Sequence, residues 1–168
     1  KRQTLNMAFN PDFGQVEADP SVLNLSAFET RLNEKRPFFV QGANFFSSWM
    51  RVFNSRRIGQ RPGFIEPDAG DIVDRPNETT ILSAAKILGQ TSTGVKYGII
   101  NAVTNQEYAS LELEKDGKIV KEDFLIEPYS NYFVGRVTKP FINELSAIGL
   151  MATDLKREGY SDVATSLK

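Results

Sequence analysis

Apolar and polar residues alternate with a period of two through most of this chain, which predicts strands rather than helices. In residues 4–10, Leu5, Met7 and Phe9 share one face, and Thr4, Asn6, Ala8 and Asn10 share the other, until Pro11 stops the run. Beyond Thr80 the pattern predicts three hairpins. Residues 81–88 and 94–104 flank the short turn Gly89-Gln90-Thr91-Ser92-Thr93. Residues 107–113 and 119–126 flank a turn containing Asp116-Gly117, a strong hairpin signal. Residues 132–139 and 146–154 flank a turn at 140–144. In the last strand Ile148, Leu150 and Ala152 share one face, and Ala147, Gly149, Met151 and Thr153 share the other.

Between the first strand and the hairpins the pattern changes. Ser26-Ala27-Phe28-Glu29 has capping-box spacing and predicts a short helix over 27–34, ended by Arg36-Pro37. Aromatic-rich segments follow, Phe38-Phe39-Val40 and then Phe45 to Trp49. Residues 59–80 read as a loop, from Gly59, Pro62, Gly63, Pro67, Gly70, Pro76 and Asn77. The β pattern is of one type on both sides of this loop. Residues 1–168 therefore read as a single domain, with 11–60 as an insert.

Small or polar residues opposite apolar ones, strand after strand, fit a barrel wall with its apolar face outward and a polar lumen. The same alternation fits a soluble antiparallel sandwich, and the pattern alone leaves the two level. No stretch approaches the ~20 apolar residues of a membrane helix. A transmembrane β-barrel stays open.

Composition narrows the chemistry. The chain has 168 residues, enough for one sizeable core, and 20 basic against 21 acidic residues. That balance argues against a nucleic-acid partner. There is no Cys and no His. Disulfides, Cys- or His-ligated metals, a Cys nucleophile and a Ser-His-Asp triad are therefore excluded. Phosphate-loop and calcium-loop spacings are absent, and no cofactor or metal site is expected.

Two constellations remain. Asp12, Glu17, Asp19, Glu29 and Glu34 precede a basic set that includes Arg36, Arg56 and Arg57. They read as an ion-pair lattice tying an N-terminal segment to the inside of a sheet; the catalytic reading is a carboxylate pair of a glycan-active hydrolase. Phe45, Phe46 and Trp49 are candidate sugar-stacking residues; the plainer reading of such a run is core or an interfacial girdle.

The blocks 10–20 (Asn-Pro-Asp-Phe-Gly-Gln-Val-Glu-Ala-Asp-Pro), 24–30 and 34–39 resemble an uncharacterised bacterial envelope family. Ser55-Arg56-Arg57-Ile58-Gly59, residues 81–86 with Gly89-Gln90-Thr91, and Asn101-Ala102-Val103-Thr104 continue the resemblance in the same order. At Gln41 relatives tend to carry Glu, which removes an acid from that segment. The resemblance implies a domain of unknown function following a carbohydrate-binding family-9-like domain, within a much longer outer-membrane β-barrel protein. It implies no reaction and no catalytic residues.

The resulting expectation is a mainly β chain. Its antiparallel strands belong to a partial outer-membrane-type barrel with one short helix and a charged, plug-like lumenal insert over 11–60. The expected setting is the bacterial outer membrane. The partners are the rest of the parent barrel, the lipid bilayer and glycans, and the role is structural, transport-related or glycan-handling rather than catalytic. A glycan hydrolase and a soluble carbohydrate-binding sandwich are the alternatives.

Overall fold

The computed structural model describes residues 2–11, 33–48, 52–63, 71–115, 118–141 and 146–158. Eight strands form in the order β1 (Arg2–Phe9), β2 (Asp71–Asp74), β3 (Ile81–Gln90), β4 (Lys96–Thr104), β5 (Glu107–Lys115), β6 (Lys118–Glu127), β7 (Ser130–Phe141) and β8 (Ser146–Arg157). One helical turn, α1 (Pro37–Val40), and the 3-10 turns Ala43–Phe45 and Ser55–Arg57 lie between β1 and β2.

Five strands pair in the order β1-β3-β4-β7-β8 and three in the order β2-β5-β6. Every pairing is antiparallel. The two sheets share one ribbon. β4 runs through Asn105-Gln106 into β5, and β6 runs through Pro128-Tyr129 into β7. The last pair of the larger sheet, Thr104 with Ser130, thus stands beside the first pair of the smaller, Glu107 with Glu127. Backbone bonds from the Asn105 amide to Thr80 (2.8 Å) and from the Glu158 amide to Tyr129 (3.0 Å) brace this joint.

Among the described residues the extensive strand–strand contacts all fall within one sheet or the other. The larger sheet is an up-and-down meander whose outer strands β1 and β8 do not pair with each other, so the described residues do not close a barrel.

Two expectations change. The loop expected over 59–80 contains β2, whose Ile72 pairs with Leu111 of β5. Flanking acids at Asp71 and Asp74 gave so short a strand the composition of a loop. Pro37 was expected to end a helix, but it begins α1. Its fixed φ and missing N–H suit a first helical position. Most of the expected 27–34 helix lies outside the described residues; Asn33 and Glu34 are not helical.

Register assigns the faces. Gln3, Leu5, Met7 and Phe9 stand beside Gly89, Ile87, Ala85 and Ser83. That row continues through Tyr97, Ile99, Asn101 and Val103 to Val137, Gly135, Phe133 and Asn131 and then Leu150, Ala152, Asp154 and Lys156. The opposite face carries Asn6, Ala84, Lys86, Leu88, Gly98, Ile100, Ala102, Tyr132, Val134, Arg136 and Met151. Among the described residues, only this second face is covered. Phe39 and Ile58 pack with Ile81, Ala84 and Ala102, and Phe46 packs with Leu88, Ile100 and Val134. Gly98 admits the Phe46 ring: a Cβ there would lie 2.8 Å from it.

Candidate functional site

The covered face and the segments 33–48 and 52–58 that lie on it form the chemically distinctive part of the molecule. Arg36 is its hub, only 5% exposed. Its Nε donates to Glu34 Oε1 and its Nη2 to Glu34 Oε2, both at 2.8 Å. The same guanidinium donates to the Ile58 carbonyl at 2.6 Å and the Ser55 carbonyl at 2.7 Å, while its carbon sits 4.4 Å from the Phe39 ring centre. The Ser55 hydroxyl donates to Glu34 Oε2 at 2.6 Å. One bidentate pair thus joins α1 to the Ser55–Arg57 turn.

Burial alone would raise the pKa of the Glu34 carboxyl. The hydrogen bonds from Arg36 and Ser55 and the charge of Arg36 outweigh it, so the group lies below the ordinary carboxylate value. An ionised, fully engaged carboxylate is not a proton donor.

Three wall strands hold the segment. Asn6 of β1 donates to Gln41 Oε1 at 3.0 Å, and Arg136 of β7 donates to the Phe45 carbonyl at 3.2 Å. Lys86 of β3, 1% exposed, donates to the carbonyls of Phe38 and Gln41. Its ammonium lies 4.8 Å from the Phe38 ring centre. These carbonyls end a helical turn, where a cation is favoured.

Beside this hub is a cleft of about 240 Å³. Phe53, Arg57 and Ile58 form one side, and Tyr132, Val134 and Leu155 the other. Arg157 hydrogen-bonds the Tyr132 hydroxyl and is ion-paired to Glu127 at 3.6 Å.

Of the expected ion-pair residues, Glu34 and Arg36 meet directly. Arg56 and Arg57 sit in the adjacent 3-10 turn and are also engaged. Asp12, Glu17, Asp19 and Glu29 lie outside the described residues, as does Trp49. Phe46 is 5% exposed and its ring is spent on the core; Phe45 is half-buried beside it. Sequence reasoning passed over Lys86 and Tyr132. The available signal for Lys86 was its parity: a charge on the same strand face as Ala84 and Leu88.

The uncovered face is apolar. Leu5, Met7, Ile87, Ile99, Val137, Ile148 and Leu150 all lie on it and are exposed, Leu150 to 76%. Lys139 marks one end of the band on β7, and Asp154 the other on β8. Phe9 and Phe133 lie toward the joint, and Tyr97 and Phe141 toward the turns. Asn101, the polar residue within the band, donates to Asn131 Oδ1 at 3.0 Å. No metal-holding group of acids occurs among the described residues, and no helix among them is long and apolar enough to cross a membrane.

No curated protein and no solved structure matches the chain. A family model does, over residues 2–166, and by it the chain belongs to the family of the domain of unknown function DUF5916.

Proposed function

We propose that the chain is a segment of the wall of a bacterial outer-membrane β-barrel, with the segment around 33–58 as a plug-like insert on its lumenal side. The role is structural or transport-related. The observation that carries the reading is the face that the described residues leave uncovered: a mostly aliphatic band that holds Asn101, is bounded by Lys139 and Asp154 and has aromatics toward its ends, on one side of an antiparallel meander whose other side is covered. Lipid-facing barrel walls have this profile, because every outward side chain must tolerate hydrocarbon and ring side chains prefer the interface.

Strand lengths and connections support it. The larger sheet's strands run from 8 to 12 residues, against the ~9–11 of a tilted transmembrane strand. The β3–β4 and β7–β8 connections are short, while the opposite end carries the insert and the β5–β6 extension. Short turns at one end and long loops at the other are usual in such barrels. Of the hydrolase alternative's candidate carboxylates, Glu34 is committed to Arg36 and Ser55, and Asp12, Glu17, Asp19 and Glu29 lie outside the described residues. The envelope setting, further barrel strands and a neighbouring carbohydrate-binding domain come from the resemblance and are part of the proposal.

The chain contains no cysteine, so single-cysteine spin labels test the reading directly. Ile148→Cys, Leu150→Cys and Ala152→Cys are expected to give high oxygen accessibility in reconstituted vesicles. Met151→Cys and Thr153→Cys should give low values, with a period of two. Preferential access of a water-soluble nickel reagent to positions 148 and 150 would sink the proposal.

A further inference from the structure

We infer that the turn end of the covered face attracts small anions, and that anions are the solutes the proposed lumen admits. Register puts Arg2, Lys86, Lys96, Arg136 and Arg157 on the covered face of the larger sheet, so every charge there is basic. Asp154, the one acid in these five strands, stands on the opposite face. Two of the cations are spent. Lys86 donates to the carbonyls of Phe38 and Gln41, and Arg157 pairs with Glu127. The other three gather toward the β3–β4 and β7–β8 turns. Arg2 and Lys96 flank Gln90 in one row, which continues to Thr138 and Gly149. Both are exposed, and neither has a hydrogen bond or ion pair among the described residues. Arg136 lies two residues along β7 from Thr138 on the same face. One Nη donates to the Phe45 carbonyl, and the other extends along β8 toward the turn, 3.9 Å from where a Cβ on Gly149 would stand.

Neighbouring charges in the sequence do not cancel these cations. Residues 1–4, 88–98 and 136–149 hold Lys1, Arg2, Lys96, Arg136 and Lys139 against Glu144 alone. The whole chain has a net charge of −1, so the basic excess is local. Rings of Arg and Lys select anions in pores. Charges of one sign around a concave mouth also raise the local concentration of the opposite ion. Arg2, Lys96 and Arg136 stand opposite the apolar band, so in a barrel wall they face solute rather than lipid headgroups. Lys139, at the edge of the band, is the cation placed for a headgroup. Passage of the anion rests on the barrel reading above; its attraction is a property of the face alone.

A nitroxide on Gln90→Cys reads the attraction, because Arg2 and Lys96 lie about one strand spacing, ~4.8 Å, to either side of it. Its collision rate with chromium trisoxalate, a trianion, is divided by its rate with the neutral nickel reagent, which cancels differences in exposure. At about 0.1 M salt, Arg2→Gln and Lys96→Gln should each lower this ratio about two- to threefold, and together about four- to ninefold. At about 1 M salt, where the screening length falls to ~3 Å, the protein with both cations should approach the double variant. A ratio unmoved by the double variant or by salt would overturn the attraction. In phosphatidylcholine vesicles, whose headgroups carry no net charge, the label at position 90 should keep its raised ratio while labels at 148 and 150 stay shielded. Loss of oxalate access at position 90, with 148 and 150 still shielded, would overturn admission and leave the wall standing. Access of the nickel reagent to 148 and 150 with the ratio intact would overturn admission by removing the wall, and leave the attraction standing.

Discussion

Arg36→Met is expected to lower the local stability of the insert by about 3–5 kcal/mol, the range for breaking a buried pair by removing one partner. The side chains of Arg36 and Glu34 are 6% and 14% exposed, so water cannot replace what is lost. Met fills much of the same volume but leaves Glu34 half-paired and the carbonyls of Ser55 and Ile58 without their donor. The readout is hydrogen-exchange protection of the Phe39, Val40, Gln41 and Ile58 amides, which are bonded within α1 and the Ser55–Arg57 turn. Protection should fall by roughly two to three and a half orders of magnitude. A loss below tenfold would mean that the pair is incidental to the insert.

The same pair predicts a pH dependence of definite sign. The folded-state pKa of Glu34 lies below its ordinary value of 4.5. Its stabilisation is therefore complete above that value and disappears as pH falls through the lower, folded one. The insert's protection factors should drop across that acidic window in the parent protein. In Glu34→Gln this component of the dependence should vanish, at a protection already reduced at neutral pH.

How much of this could be read from sequence depended on the range of the interaction. Strand alternation is local: Leu5, Met7 and Phe9, or Ile148 and Leu150, declare their shared face by spacing alone. The division into two sheets is not local. Alternation carries on on both sides of Asn105-Gln106 and Pro128-Tyr129, and these breaks line up only once Thr104 is known to pair with Ser130. β2 was hidden because four residues carry too little pattern. The Glu34–Arg36 pair is two residues apart and lay within the expected cluster. Lys86 meets carbonyls 48 and 45 residues away, and nothing in the sequence near Lys86 indicates backbone groups at that distance.

Lys86→Met is expected to raise the undocked fraction of the insert without dismantling the insert itself. Two carbonyls, Phe38 and Gln41, lose their buried donor. At about 1–2 kcal/mol each, that is roughly 2–4 kcal/mol, or about thirtyfold to a thousandfold in the docking equilibrium. Docking survives on average, because Phe39, Phe46 and Ile58 are buried against the wall and each contributes about 1.5–3 kcal/mol. An equilibrium shifted this far but still mostly docked is invisible to a mean distance and visible to a trapping reaction. Ala102 supplies the trap, since it is fully buried beneath Phe39 and Ile58. In an Ala102→Cys background the thiol at position 102 should react with maleimide thirtyfold or more faster once Lys86→Met is added. The Ile58 amide, bonded to Ser55 within the insert, should keep its protection better than in Arg36→Met. Equal labelling rates with and without Lys86 would show that apolar burial alone seats the insert. Loss of Ile58 protection on the scale of Arg36→Met would show that Lys86 holds the insert's own fold rather than its docking.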